Sequence, residues 1–362
     1  MTQGKIVLPL ALVLALVVFV VWNNNVDHAS SSSSSSSLYS SPRELQKKQE
    51  QLSNIQDDTA ALQALSEKLT PHKFSMDDNT NGLLPNQFLH LHHMKTAGTS
   101  MDQLLQCGIG RYKNVESVDI SYTSIHECSK SRYEKCLSGE DKSCQSRIQK
   151  AALMSYCAPL KDLPTFGWTN DEVQAVTVLR DPVDRVWSMF RFQTKRCYQC
   201  KPLLEVYHDI DTNKQPALNQ LCIDQLMNHQ AANLLNTEWD ATADPEVLAD
   251  QAIDNMKNFF TMIGLTEQLS ATVDMVGHVF PWMNETIAGS DKVCTLSHAN
   301  ASPKNNRCGP ENTHWDLPAH PDDETRAAIE AHNQMDMKLY DAAVQHFEHQ
   351  KLAVLMQKEE GL

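Results

Sequence analysis

The stretch that restricts this chain most runs from Val173 to Thr194. Val173–Leu179 is a mostly apolar run rich in β-branched residues, the pattern of a strand buried on both faces of a parallel sheet. Arg180-Asp181-Pro182 follows at once, and Val183 to about Thr194 has amphipathic helical spacing, with proline suited to a first helical turn. A second unit of this kind lies upstream. Phe88–Met94 is an apolar, histidine-containing run that ends in a glycine-containing turn, and Met101–Cys107 reads as the start of a helix. Phe260–Leu265 reads as another buried strand, and Ala217–Asn236, Pro245–Asn258 and Asp322–Lys358 read as helices. Strands alternating with long helices predict an α/β fold: a P-loop-like parallel sheet flanked by helices, with ligands at the C-terminal ends of the strands.

The flanking segments predict where such a domain resides. Residues 1–5 form a short tail ending in Lys5, and 6–22 are uncharged and apolar, at the short end for a bilayer span. The positive flank before the span predicts a cytoplasmic N-terminus and a lumenal bulk, a single-pass type II arrangement. A cleaved signal peptide competes with an uncleaved anchor; its one nearby cleavage candidate ends at Ala29, after Asp27 and His28, which fits the small-residue rule poorly. Residues 23–82 are expected to be a stalk and stem. Ser30–Ser37 is an unbroken serine tract, a flexible spacer. From Arg43 to Leu69 one heptad frame carries Leu45, Leu52, Ile55, Leu62 and Leu69 at a and d positions, interrupted by Lys48, Thr59 and Ser66. The stem is thus either a weak coiled coil that makes a homodimer or a solitary solvated helix. The globular part is expected over 83–350, with a tail at 351–362.

Ten cysteines suit an oxidising lumen. Cys294 and Cys308 bracket a polar, asparagine-rich segment and are the first choice for a bridge; Cys128, Cys136 and Cys144 form a second cluster. Cys197 and Cys200 have the spacing of half a zinc or redox site, but no second half-site accompanies them, so a structural disulfide or surface thiols are the expectation. Asn284-Glu285-Thr286 and Asn300-Ala301-Ser302 are glycosylation sequons. A net charge of -14 argues against a nucleic-acid partner, which demands a basic face.

The chemistry concentrates at the two strand–helix junctions. His92-His93-Met94-Lys95-Thr96-Ala97-Gly98-Thr99-Ser100 places a lysine, a glycine and hydroxyl residues between a strand and a helix, where helix N-terminal amides favour an anion. The order differs from GxxxxGK[ST], because the lysine precedes the glycine. In the second junction, Arg180 at a strand end can clamp a phosphate, and Ser188 lies two turns along the helix. A helix cap with a surface Arg–Asp pair is the plainer alternative for that segment.

These motifs resemble those of Golgi carbohydrate sulfotransferases. The first is similar to their 5′-phosphosulfate loop (HxxKTGGT), with Ala97 where the family usually has glycine; the second matches their 3′-phosphate motif (RDPxxRxxS) in full. The segments Asn228–Leu235, Ile263–Glu267 and Asn333–Asp341 resemble the NRQxRML, FGLTE and NxLDxxLYxYA segments of the heparan sulfate 6-O- and 2-O-sulfotransferase branch. The resemblance spans Phe88 to Phe347 in the same order. It implies a Golgi membrane enzyme with the sulfotransferase fold that moves sulfate from 3′-phosphoadenosine 5′-phosphosulfate to a glycan hydroxyl, without a metal. Lys95 would neutralise charge on the bridging oxygen, while Thr96, Ala97, Gly98, Thr99 and Ser100 hold the 5′-phosphate. Arg180 and Ser188 would hold the 3′-phosphate.

The chain departs from that family where a general base is needed. The family's base histidine precedes the second motif, and Met154–Asp162 contains none. His92, three residues before Lys95, is the candidate base; a strand histidine bonded within the sheet is the competing reading, with His126 and Glu127 in reserve. His229 stands where the family has arginine. Two functional readings follow: an active sulfotransferase, or a protein on the same scaffold that binds nucleotide or glycan but has lost turnover. A P-loop kinase or other NTPase is disfavoured by the glycine–lysine order and by the lack of an evident metal-binding acidic pair.

Overall fold

The computed structural model describes residues 59–70, 87–110, 121–125, 135–136, 138–149, 151–156, 159–166, 173–212, 220–237, 243–283, 294 and 317–360. The expected membrane span at 6–22, the serine tract, the first part of the stem, His126, Glu127 and both sequons lie outside the described residues. Among the described residues, no helix is long and apolar enough to cross a membrane.

The protein is an α/β fold around a parallel five-stranded sheet: β1 (Gln87–Leu91), β2 (Ser121–Ile125), β3 (Ala151–Tyr156), β4 (Val173–Leu179) and β5 (Met262–Leu265), in the order β2-β3-β1-β4-β5. Among the described residues the α-helices are α1 (Thr59–Lys68), α2 (Gly98–Gly110), α3 (Lys142–Gln149), α4 (Pro182–Cys197), α5 (Leu203–Asp211), α6 (Gln220–Asp224), α7 (His229–Leu234), α8 (Pro245–Phe259), α9 (Leu269–Val279), α10 (Asp323–His332) and α11 (Gln334–Glu360). β1 lies between β3 and β4, with Leu91 level with Tyr156 on one side and Thr177 on the other. Thr177 Oγ1 donates to the Leu91 carbonyl at 2.9 Å, so the ends of β1 and β4 are tied together. Their loops therefore emerge side by side, at the edge where parallel sheets place ligands.

Local sequence explains several helix starts. Asp181 accepts a hydrogen bond from Asp184 N at 3.0 Å and Pro182 opens α4; Asp244 and Pro245 do the same for α8, and Asp322 caps α10 through Thr325 N. Buried apolar residues of β1, β3, β4 and β5 form the main core with α2, α8, α9 and α11. A smaller core unites Val183, Val186, Trp187 and Phe190 of α4 with Tyr198, Leu203 and Val206.

Three expectations need correction. The helix predicted over 217–236 is two short ones, α6 and α7, because Asn228 takes left-handed backbone at φ 46°. The helix predicted over 322–358 breaks at Asn333 into α10 and α11, and α11 continues to Glu360. Cys294 pairs with Cys107, not with Cys308. Cys136 pairs with Cys144, and Cys197 with Cys222 rather than with its near neighbour Cys200. Below the boundary set at 83, Leu62 and Leu69 of the stem are buried, and α1 packs against α11 of its own chain.

Candidate functional site

The loop after β1 is shaped by left-handed backbone at two non-glycine residues, Lys95 at φ 68° and Ala97 at φ 61°. The second value is backbone that glycine adopts without strain, as in the motif this loop resembles. α2 begins immediately afterwards, and the Ala97 carbonyl receives Ser100 N and Met101 N of its first turn, the end of a helix where amides face outward. Gly98 is required sterically: a Cβ there would stand 2.0 Å from His92 Cδ2. Thr96 is buried and its hydroxyl donates to the His93 carbonyl at 2.9 Å, so it braces the loop. Ser100 is buried and Thr99 half-buried.

Lys95 rests over the Phe192 ring of α4, its ammonium 4.5 Å from the ring centroid. Burial first, then the positive charges of Arg180 and Arg191, lower its pKa to about 8. The group is thus a cation held among cations, which an anion would relieve.

Arg180 is the hub of the second loop. Its guanidinium Nη1 donates to the Lys95 carbonyl at 3.1 Å, joining the two predicted loops directly. Its own peptide is gripped by Gln230: Arg180 N donates to Oε1, and Nε2 donates to the Arg180 carbonyl, both at 2.9 Å. Glu267 Oε1 stands 3.9 Å from Arg180 Nε and accepts from Asp181 N at 3.2 Å, while Oε2 accepts from the Tyr340 hydroxyl at 2.7 Å. Arg180 Nε itself is buried with no hydrogen-bond partner. Beneath this, Asp336 accepts from Gln230 N and Ala231 N, capping α7, and lies 3.8 Å from the fully buried Arg185. Ser188 is half-buried on α4, two turns beyond Arg180.

The histidines fall into two groups. Asp102 of α2, 1 % exposed, bridges His90 Nδ1 through Oδ1 and His92 Nδ1 through Oδ2, the latter at 3.0 Å. His92 lies beyond the end of β1, so the reading of it as a strand histidine bonded within the sheet gives way to a loop histidine bonded to a carboxylate. His93 and His229 approach Asn233 Nδ2 at 3.5 and 3.3 Å. Burial pushes His93 well below its ordinary value, with His229 next in effect, and pushes His229 to about 3, with Arg185 adding to the shift. His229 therefore contributes no positive charge where arginine stands in the resembling family.

The structure brings Lys95 and Arg180 together, with Thr96, Ala97, Gly98, Thr99 and Ser100 forming the loop and first turn beside them. Sequence reasoning missed Asp102 and Phe192, and gave Gln230, Glu267 and Tyr340 no role beyond corroboration. The resemblance did mark those last three, since they fall in its secondary segments, but their contacts with one another and with the Arg180 loop span long sequence separations. Compared with known proteins, the chain matches no family model and no curated protein sequence.

Proposed function

We propose that this protein transfers a sulfuryl group from 3′-phosphoadenosine 5′-phosphosulfate to a glycan hydroxyl in the Golgi lumen, as a membrane-anchored enzyme. The observation that supports this most is the 3.1 Å contact between Arg180 and the Lys95 carbonyl: the two motifs expected to grip opposite ends of one nucleotide share a hydrogen bond at adjacent strand ends. The residues fit a doubly phosphorylated ligand. Lys95 and the first turn of α2 offer a cation and helix amides to the 5′-phosphosulfate, and the donor then supplies a sulfuryl group already attached to a good leaving group. Arg180, whose buried Nε lacks a hydrogen-bond partner, and Ser188 would take the 3′-phosphate. Gln230 and Glu267 hold the Arg180 loop in place, so its geometry is set before a ligand arrives.

Calorimetric titration of the full-length chain in detergent with adenosine 3′,5′-bisphosphate, AMP and ATP tests this. The bisphosphate is expected to bind in preference to both others, with the preference over AMP lost in Arg180→Ala and affinity for all three reduced in Lys95→Ala. Equal binding of the three nucleotides, or none by folded protein, removes the proposal.

A further inference from the structure

The sequence lacks a histidine at the position where the resembling family keeps its base, yet it assembles an imidazole–carboxylate–imidazole array beside the loop of Lys95. Asp102 projects from α2 between two nearly parallel imidazoles, His90 and His92, whose centroids lie 5.8 Å apart at 20°. Each Nδ1 faces its own carboxylate oxygen rather than a common point. An ionised carboxylate only accepts, so both Nδ1 atoms must carry hydrogen. That assignment leaves the basic lone pair of each neutral ring on Nε2. The two rings differ in where they lead: the His90 side chain is fully buried, whereas His92 is 12 % exposed. His92 also leans on the first residue of α2, for a Cβ on Gly98 would be 2.4 Å from its Nε2. Its basic edge thus lies at the helix N-terminus that forms the anion-binding turn.

We propose that Asp102 is the positioning residue that fixes His92 as the Nδ1–H tautomer, making His92 Nε2 the proton acceptor of the transfer; this rests on the sulfuryl-transfer reading above. In the step, Nε2 takes the proton of the acceptor hydroxyl as that oxygen forms its bond to sulfur. The bond from sulfur to the bridging oxygen breaks, and its electron pair leaves on the 5′-phosphate of adenosine 3′,5′-bisphosphate. The imidazolium so formed faces the Asp102 carboxylate, which offsets its charge. Among the described residues, the charged and titratable groups that interact with His92 include Asp102 of α2, His90 of β1, His93 of its own loop and His229 of α7. Among them Asp102 alone favours the protonated ring.

Asp102→Asn separates positioning from mere packing, because an amide of the same shape can donate to Nδ1 and so move the ring hydrogen to Nε2. In the full-length protein in detergent, three quantities are read: bisphosphate affinity, carbethoxylation of His92 by diethylpyrocarbonate across pH, and bisphosphate release from the sulfate donor with pooled desulfated glycosaminoglycans. Asp102→Asn is expected to bind bisphosphate as the unaltered protein does. The pH midpoint of His92 modification should fall by about one pH unit or more, and turnover by about a hundredfold or more with little change in KM for the donor. An unchanged midpoint and unchanged turnover overturn the inference while leaving the nucleotide site standing. Failure of the unaltered protein to bind bisphosphate sinks the sulfuryl-transfer reading and this inference with it. If Asp102→Asn proves unable to fold, His92→Gln decides: binding kept with turnover lost supports the role, and turnover kept refutes it.

Discussion

Ala97 holds left-handed backbone at φ 61° where sequences of the resembling type carry glycine, and an L-residue in that region costs about 1–2 kcal/mol. Ala97→Gly should therefore raise stability by about 1 kcal/mol after the entropy cost of glycine is subtracted, seen as a higher urea midpoint; a lower midpoint would mean that the methyl group stabilises the loop. Lys95 makes a second residue-scale prediction. With its pKa lowered to about 8 by burial and by Arg180 and Arg191, folded Lys95 loses its proton as pH rises through that value, while the unfolded chain keeps it until the ordinary lysine range. The unfolded state binds more protons across that window, so this group's contribution to stability increases with pH there. Ligand affinity moves the other way. Bisphosphate binding should weaken above about pH 8, by up to about tenfold per pH unit, and should take up a proton there. Calorimetry in buffers of different ionisation enthalpy measures that uptake; its absence would show that the anion does not meet the Lys95 ammonium.

At the scale of elements, the short helix α7 depends on a partner far along the chain. Its first amides, at Gln230 and Ala231, donate to Asp336 of α11, and the same carboxylate lies 3.8 Å from the buried Arg185 of α4. Burial raises the Asp336 pKa, and Arg185 opposes that shift. Asp336→Ala strips the cap and leaves a buried guanidinium uncompensated, which should cost about 3–5 kcal/mol. The added removal of charge in Arg185→Met should recover a large part of that loss, and a double-mutant cycle by urea unfolding reads the coupling. Gln230 rides on α7, so melting this helix should also loosen the Arg180 loop and weaken bisphosphate binding. This dependence explains which elements were legible. β4 and α4 could be read directly, since a β-branched run followed by Asp-Pro states both its strand and its helix start locally. β3, Ala151–Tyr156, lacks that signal because its alanines, leucine and methionine suit a helix equally. The break at Asn333 was illegible for another reason: its side chain accepts from Asn228 N and donates to the carbonyls of Leu226 and Ile329, contacts supplied mostly by distant segments.

For the molecule as a whole, the loops bearing Lys95 and Arg180 were readable because each is contiguous, while what joins and braces them was not. Asp102 reaches from the start of α2 back to His92 in the preceding loop, Tyr340 meets Glu267 across most of the C-terminal third, and Cys107 finds Cys294 over a separation of 187; a single sequence carries no local mark of such pairs. The same limit applies to the stem, whose leucine spacing is equally compatible with a partner chain and with the chain's own surface. The structure gives α1 the second option. Leu69 is fully buried, Gln357 of α11 donates to the Ser66 carbonyl, and Lys68 Nζ donates at 2.7 Å to the carbonyl of Lys257, one of the last carbonyls of α8 and so without an intrahelical amide. α1 therefore closes the C-terminal end of α8 and covers part of α11, acting as a piece of the domain rather than a spacer outside it. Leu69→Ala should then destabilise the whole domain by about 2–5 kcal/mol, lowering a single cooperative unfolding midpoint. A stem that only paired two chains would lose self-association in this variant and keep the midpoint, so urea unfolding and sedimentation of the same sample distinguish the two arrangements.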